Sequence, residues 1–165
     1  MKPPTITPEQ VRTLTRCAEF VVPESYRDSN GHMNMRWYSA LFDEAGDAFH
    51  AQVGFTPEYH RVHRTGGFDL EHHIHFLREV LTGDRVTIYL RVIGRSAKRV
   101  HYMLFMVDDS RNTLAALFEC VNAFADMRVR KTAPYPAEIA AAIDRLLSTH
   151  TALPWPAPVC GVMKA

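Results

Sequence analysis

Cysteine is scarce in this chain and its pattern pairs with nothing. There are three in 165 residues, Cys17, Cys120 and Cys160, odd in number and far apart. No disulfide framework fits that spacing, so a reducing, cytoplasmic compartment is the expectation. Long hydrophobic runs are missing too. Nothing approaches the roughly 20 apolar residues that span a bilayer as a helix, and residues 1–10 lack the apolar segment of a secretory leader. Charge of one sign is also lacking: the formal net charge is +1. Neither nucleic acid nor an anionic membrane is therefore expected as a partner. There is no internal repeat and no glycine-rich phosphate loop, since Gly66-Gly67 alone does not make one. Histidines are plentiful around His60, His63, His72, His73 and His75, yet no cysteine or carboxylate follows at a zinc-like spacing. No metal is expected.

What the chain does have is core material. Apolar residues make up 47% and charged residues 22%, enough for one domain over residues 1–150. Residues 151–165 form a proline-rich tail, Leu153-Pro-Trp-Pro-Ala-Pro158, expected to dock through Leu153 and Trp155. Thr7-Pro8-Glu9-Gln10 reads as a capped helical turn, and Arg16–Val22 as a strand stopped by Pro23. Met35 to about Val53 runs without proline and reads as a helix. Arg36, Ser39, Asp43, Asp47 and His50 form one narrow polar stripe on it, with Glu44 to the side and apolar residues elsewhere. A helix so thinly polar is expected to be mostly buried. Residues 55–67 read as a loop or short helix closed by Gly66-Gly67. Phe68–Val80 follows as a strand. Val86, Ile88, Leu90 and Val92 alternate with Thr87, Tyr89 and Arg91 as a half-buried strand. Val100–Met106 and Leu114–Ala125 complete a set of about four strands joined by hairpins. Ala137–His150 is a terminal helix. Hairpins in succession beside one long apolar helix make the class α+β with an antiparallel sheet.

Chemistry concentrates in one stretch, Asp28-Ser-Asn-Gly-His-Met-Asn-Met-Arg-Trp-Tyr38, immediately before the long helix. Asp28 supplies a carboxylate able to act as a nucleophile or general base. Asn34 suits a helix N-cap, and His32 suits proton transfer. The N–H groups and the positive dipole end near Met35 suit a developing oxyanion. Gly31 permits close backbone approach. Asn30, Trp37 and Tyr38 stand near enough in sequence to contact a substrate. The bland readings are an Asx-turn for Asp28, a simple cap for Asn34, and core packing for Trp37 and Tyr38.

The order of elements resembles the hotdog fold, a curved antiparallel sheet wrapped around a long central helix. Asp28-x-x-Gly31-His-x-Asn34-x-x-x-Tyr38 resembles the signature of the 4-hydroxybenzoyl-CoA thioesterase-like branch of that fold. His75-Phe-Leu-Arg-Glu-Val-Leu-Thr-Gly-Asp84 resembles its second-strand-to-turn segment. Lys98-Arg99-Val-His101 resembles thioesterases of carnitine breakdown that act on betainyl-CoA. The resemblance covers about residues 16–130. It implies an acyl-CoA thioesterase with a coenzyme A thioester as substrate and no cofactor, working as a homodimer or homotetramer. It implies catalysis by Asp28 with the Met35 N–H, and Tyr38 matches the family's aromatic on the first helical turn. His32, which departs from the family's usual hydrophobic residue, and Asn34 join the expected catalytic set from their own chemistry. Asn30, Gly31, Trp37, Tyr38 and His101 would contact substrate. Arg95, Lys98, Arg99, Arg128, Arg130 and Lys131 are available for the phosphates of CoA. Two other classes stay open: a hydratase or dehydratase of the same fold, and a non-catalytic acyl-CoA-binding domain.

Overall fold

Thr7 caps helix α1 (Pro8–Val11) as expected: its hydroxyl accepts from Gln10 N–H, and the Gln10 side chain returns the bond to the Thr7 N–H. The computed structural model describes residues 6–165, so the leaderless reading of residues 1–10 falls partly outside the described residues. Strand β1 (Thr15–Val21) and a 3-10 turn (Glu24–Tyr26) lead to the long helix α2 (Met35–Gln52). Helix α3 (Pro57–His63) follows. Then come β2 (Thr65–Phe76), β3 (Arg85–Arg95), β4 (Arg99–Asp108), β5 (Thr113–Asp126), the two-residue β6 (Lys131–Thr132) and helix α4 (Ala137–Thr151). Among the described residues the sheet has six strands in the order β1-β3-β4-β5-β2, with β6 on β5. β1 pairs with β3 and β6 with β5, both antiparallel.

The chain divides into two compact units. One holds residues up to Ala48 with Ile74–Leu90 and Leu104–Phe118; the other holds Phe49–His73, Arg91–Met103 and Glu119 onward. In the first, α2 buries Tyr38, Leu41, Phe42 and Ala45, and Phe42 stacks on Phe118 of β5 with centroids 5.2 Å apart. Fully burying one such ring is worth about 2–3 kcal/mol. In the second, Phe49 packs on Tyr102 at 5.1 Å, and Phe55 on Phe124 at 5.2 Å.

Several expectations need correcting. Gly66 and Gly67 do not close a loop; they lie inside β2, because ladder pairing tolerates glycine where a neighbour comes close. A Cβ on Gly67 would meet the Asn122 amide at 3.2 Å. The polar face of α2 is broader than one stripe: Glu44 is exposed alongside Arg36, Ser39, Asp43 and Asp47. β3 is not half-buried, for every residue from Val86 to Val92 is buried. Its alternating polar side chains are covered by segments distant in sequence. In the first unit the Thr87 hydroxyl donates to Asp109 at 2.6 Å. In the second, the Arg91 guanidinium donates to the carbonyls of Trp155 and His150 and stacks on the Trp155 ring at 4.2 Å. Trp155 thus docks as expected. The short β6 was not foreseen.

Candidate active site

The Asp28–Asn34 loop is built by its own polar groups. Asp28 Oδ1 accepts from the Asn30 N–H at 2.8 Å, and the Gly31 N–H returns to the Asp28 carbonyl at 3.1 Å. This is an Asx-turn, the bland reading of Asp28, and it leaves the second carboxylate oxygen outside the turn. Gly31 takes φ of 90° to complete it, a conformation that costs glycine nothing and strains other residues. The Asp28 N–H then bonds to the His32 carbonyl at 3.0 Å. Asp28 Oδ2 is left 3.5 Å from His32 Nδ1.

The loop is fixed at both ends. Met33 is buried, and its N–H bonds to the Val80 carbonyl at 2.8 Å. The Asn34 N–H bonds to the Tyr26 carbonyl at 2.9 Å. Tyr26 and Trp37 stack face to face, 3.8 Å apart and 5° from parallel. The Asn34 side chain accepts from the Arg36 N–H at 3.1 Å, which makes it the N-cap of α2. The Met35 N–H makes no hydrogen bond among the described residues. A free donor at the positive end of an 18-residue helix is suited to an anion or a polarised carbonyl.

Met35 also lines a cleft of about 300 Å³, together with His32, Met33, Tyr38, Phe76, Leu77, Arg78 and Glu79. Tyr38 is the buried member of the lining's aromatic pair. Its hydroxyl accepts the buried Val80 N–H at 3.1 Å, and its ring meets Phe76 edge-on at 5.1 Å. Burial raises the Tyr38 pKa, although the Val80 N–H works the other way. The phenol therefore stays protonated, with its own hydrogen left to donate.

The structure thus gathers Asp28, Asn30, Gly31, His32, Asn34, Met35, Trp37 and Tyr38 within one unit. Of these, His32, Met35 and Tyr38 line the cleft, while Asp28 stands next to it through His32. Trp37 Nε1 is buried with no acceptor among the described residues. His101 is not among the residues lining this cleft. It belongs to the second unit, is buried, and its Nε2 lies 2.8 Å from Glu119 Oε1. Two of the basic residues offered for CoA phosphates are already engaged: Arg95 forks onto Asp144 with both contacts at 2.6 Å, and Arg128 forks onto Asp126. Sequence reading missed Phe76, Arg78 and Glu79 as cleft residues. Their position at the end of β2 (Phe76) and just beyond it (Arg78, Glu79), in the segment leading to Gly83-Asp84, was the one signal available.

Three comparisons bear on this geometry. The sequence profile described as the thioesterase-like superfamily matches residues 22–143. The betainyl-CoA thioesterase of Pseudomonas aeruginosa is 30% identical over 145 residues, 88% of this chain and 91% of that protein. The L-carnitine dehydrogenase/betainyl-CoA thioesterase of Rhizobium meliloti is 26% identical over 141 residues, and the chain spans only 28% of that longer protein. A Staphylococcus aureus protein solved in complex with CoA superposes with a TM-score of 0.80 at 22% identity, covering 87% of this chain and 90% of that one. A 1,4-dihydroxy-2-naphthoyl-CoA thioesterase from Synechocystis gives 0.69 at 20% identity, covering 78% and 95%. The fold is accordingly the α+β hotdog fold.

Proposed function

The chain belongs to the thioesterase-like superfamily, and from that premise we propose that it hydrolyses a small acyl-CoA to the free acid and CoA, with betainyl-CoA the first candidate. The observation that carries this reading is the unbonded Met35 N–H at a cleft whose neighbouring loop holds a carboxylate. The thioester carbonyl oxygen would sit against that N–H, where the helix dipole stabilises negative charge as it develops. Asp28, with one oxygen tied to Asn30, uses the other to take a proton from water beside His32. The hydroxide formed attacks the carbonyl carbon, the C–S bond breaks, and the thiolate leaves and takes up a proton. A thiolate leaves readily, so no strong general acid is required. Water and these side chains suffice, without a cofactor.

The acyl group is the finer part of the proposal. A betainyl group ends in a quaternary ammonium, which favours aromatic faces and a nearby carboxylate. Tyr38, Phe76 and Glu79 supply both in the cleft. Arg78 Nη1 donates to the adjacent Leu77 carbonyl, which turns its charge toward backbone. Asn30, Gly31 and Trp37 complete the substrate surface of this reading.

A homodimer, or a tetramer built from it, fits the outer strand. β2 ends the sheet order, and in the second unit it exposes Phe68 and Leu70 at 65% and 42%, an edge that invites a second copy. The three free cysteines suit the cytoplasm, and among the described residues no helix is long and apolar enough to cross a membrane. The test is thiol release measured across a panel of betainyl-, aromatic and short-chain acyl-CoA thioesters. Preference for betainyl-CoA supports the full reading. Hydrolysis of other acyl groups alone removes the betainyl part, and no thiol release from any of them removes the reading itself.

A further inference from the structure

Within the second unit, three segments far apart in sequence meet at one point. His73 comes from β2, Glu119 from β5 and Cys160 from the tail that follows α4, and one ligand atom from each lies within 4.8 Å of the other two. Ligand atoms around a tetrahedral zinc ion, with bonds of about 2.0–2.3 Å, stand roughly 3.5 Å apart. Binding would draw them together by rotation of the His73 and Cys160 side chains about the fixed Glu119.

The middle member is held in place from two sides. Glu119 is 3% exposed. Its Oε1 lies 2.8 Å from Nε2 of His101, itself buried, and its Oε2 accepts the Cys160 N–H at 2.7 Å. A carboxylate has about four lone-pair positions, so these two contacts leave acceptor capacity on both oxygens. A buried carboxylate is costly unless several partners share it, and a cation can join His101 and the Cys160 N–H as a further one.

We propose that His73, Glu119 and Cys160 form a binding site for a divalent, borderline-soft cation, with zinc the best match. Imidazole, thiolate and carboxylate are together the ligand chemistry of zinc, whereas magnesium and calcium select oxygen alone. His101 acts as a positioning residue, orienting the Glu119 carboxylate toward the ion. Three protein ligands leave a fourth position for water. On binding, the Cys160 Sγ–H bond breaks, the sulfur keeps the electron pair to coordinate the metal, and the proton goes to solvent. The ion would tie the tail to β2 and β5 and takes no part in thioester hydrolysis. The ligands are contributed by two strands and a tail, so no local metal spacing appears in the sequence.

Cobalt(II) titration of the metal-stripped full chain tests this, because thiolate coordination gives a charge-transfer band in the near ultraviolet that histidine and carboxylate sites lack. The expected result is a band saturating at one cobalt per chain and bleached by zinc, with zinc binding followed by competition against a chromophoric chelator. Cys160→Ser should abolish the band. His73→Ala should weaken zinc binding by at least about tenfold, the low end of what lost metal-site interactions cost, while thiol release from acyl-CoA by both variants remains that of the parent. Absence of the band in the parent chain overturns the proposal. So does its persistence in Cys160→Ser, which would place the metal on Cys17 or Cys120. Should Cys160→Ser fail to fold, His73→Ala still decides: unchanged zinc affinity in that variant contradicts the site.

Discussion

Asp28 Oδ2 stands 3.5 Å from His32 Nδ1, across a turn whose backbone joins the same two residues through the Asp28 N–H and the His32 carbonyl. The turn brings the carboxylate and the imidazole side by side, while His32 Nδ1 also lies 3.4 Å from the Met33 carbonyl. Asp28 is anchored by the Asn30 N–H, and His32 lines the cleft.

Asn34→Ala removes the acceptor for the Arg36 N–H at the start of α2. The expected cost is about 1 kcal/mol of stability, within the range for lost N-caps, read as a lower urea midpoint with unchanged slope. Because the same residue sets the direction of the Met35 N–H, kcat should fall more than the stability loss explains.

Tyr38→Phe leaves the buried Val80 N–H without the hydroxyl it now donates to at 3.1 Å. An unsatisfied buried donor costs roughly 1–3 kcal/mol, measurable by chemical denaturation. The Val80 carbonyl holds Met33, so the loop should loosen and KM should rise.

Much of this site was legible in advance, for a physical reason. The Asx-turn at Asp28, the positive-φ Gly31 and the Asn34 cap are local interactions, settled within a few residues by side-chain type. The helix that follows was equally readable from its length. Burial of the polar face of β3 was not, since Arg91 is covered by Trp155, which lies 64 positions away. Glu79 escaped for the same reason: it enters the cleft by the path of the chain after β2, and no periodicity records that path.

His150 gives the protein an acid limit. Its Nδ1 accepts the Val92 N–H at 2.9 Å, and burial, then the nearby Arg91 charge, lowers its pKa from 6.5 to about 4. Between those values the unfolded chain binds a proton that the folded one refuses. The stability this group confers is complete above about pH 6.5 and is lost as the pH falls toward 4. The loss amounts to roughly 3 kcal/mol at ~1.4 kcal/mol per pH unit. Denaturation midpoints measured from pH 7 to 4 should show this decline, and His150→Asn should flatten it.

Glu79→Gln removes the cleft carboxylate proposed to face a cationic acyl group. The discriminating pair is betainyl-CoA and 3,3-dimethylbutanoyl-CoA, its neutral isostere, with carbon in place of the ammonium nitrogen. The variant should lose about tenfold in kcat/KM on the charged substrate, the equivalent of ~1.4 kcal/mol, and little on the neutral one. Equal losses on both would remove Glu79 from acyl recognition.

The most direct measurement is thiol release by Asp28→Asn on the best acyl-CoA found for the parent. Asparagine retains the side-chain oxygen that accepts from Asn30, so the loop keeps its turn while losing the base. The account predicts a fall in kcat of about 10²–10⁴-fold, with an unchanged denaturation midpoint. A variant that releases thiol at the parent rate would contradict it, as would a parent that consumes an enoyl-CoA without releasing thiol.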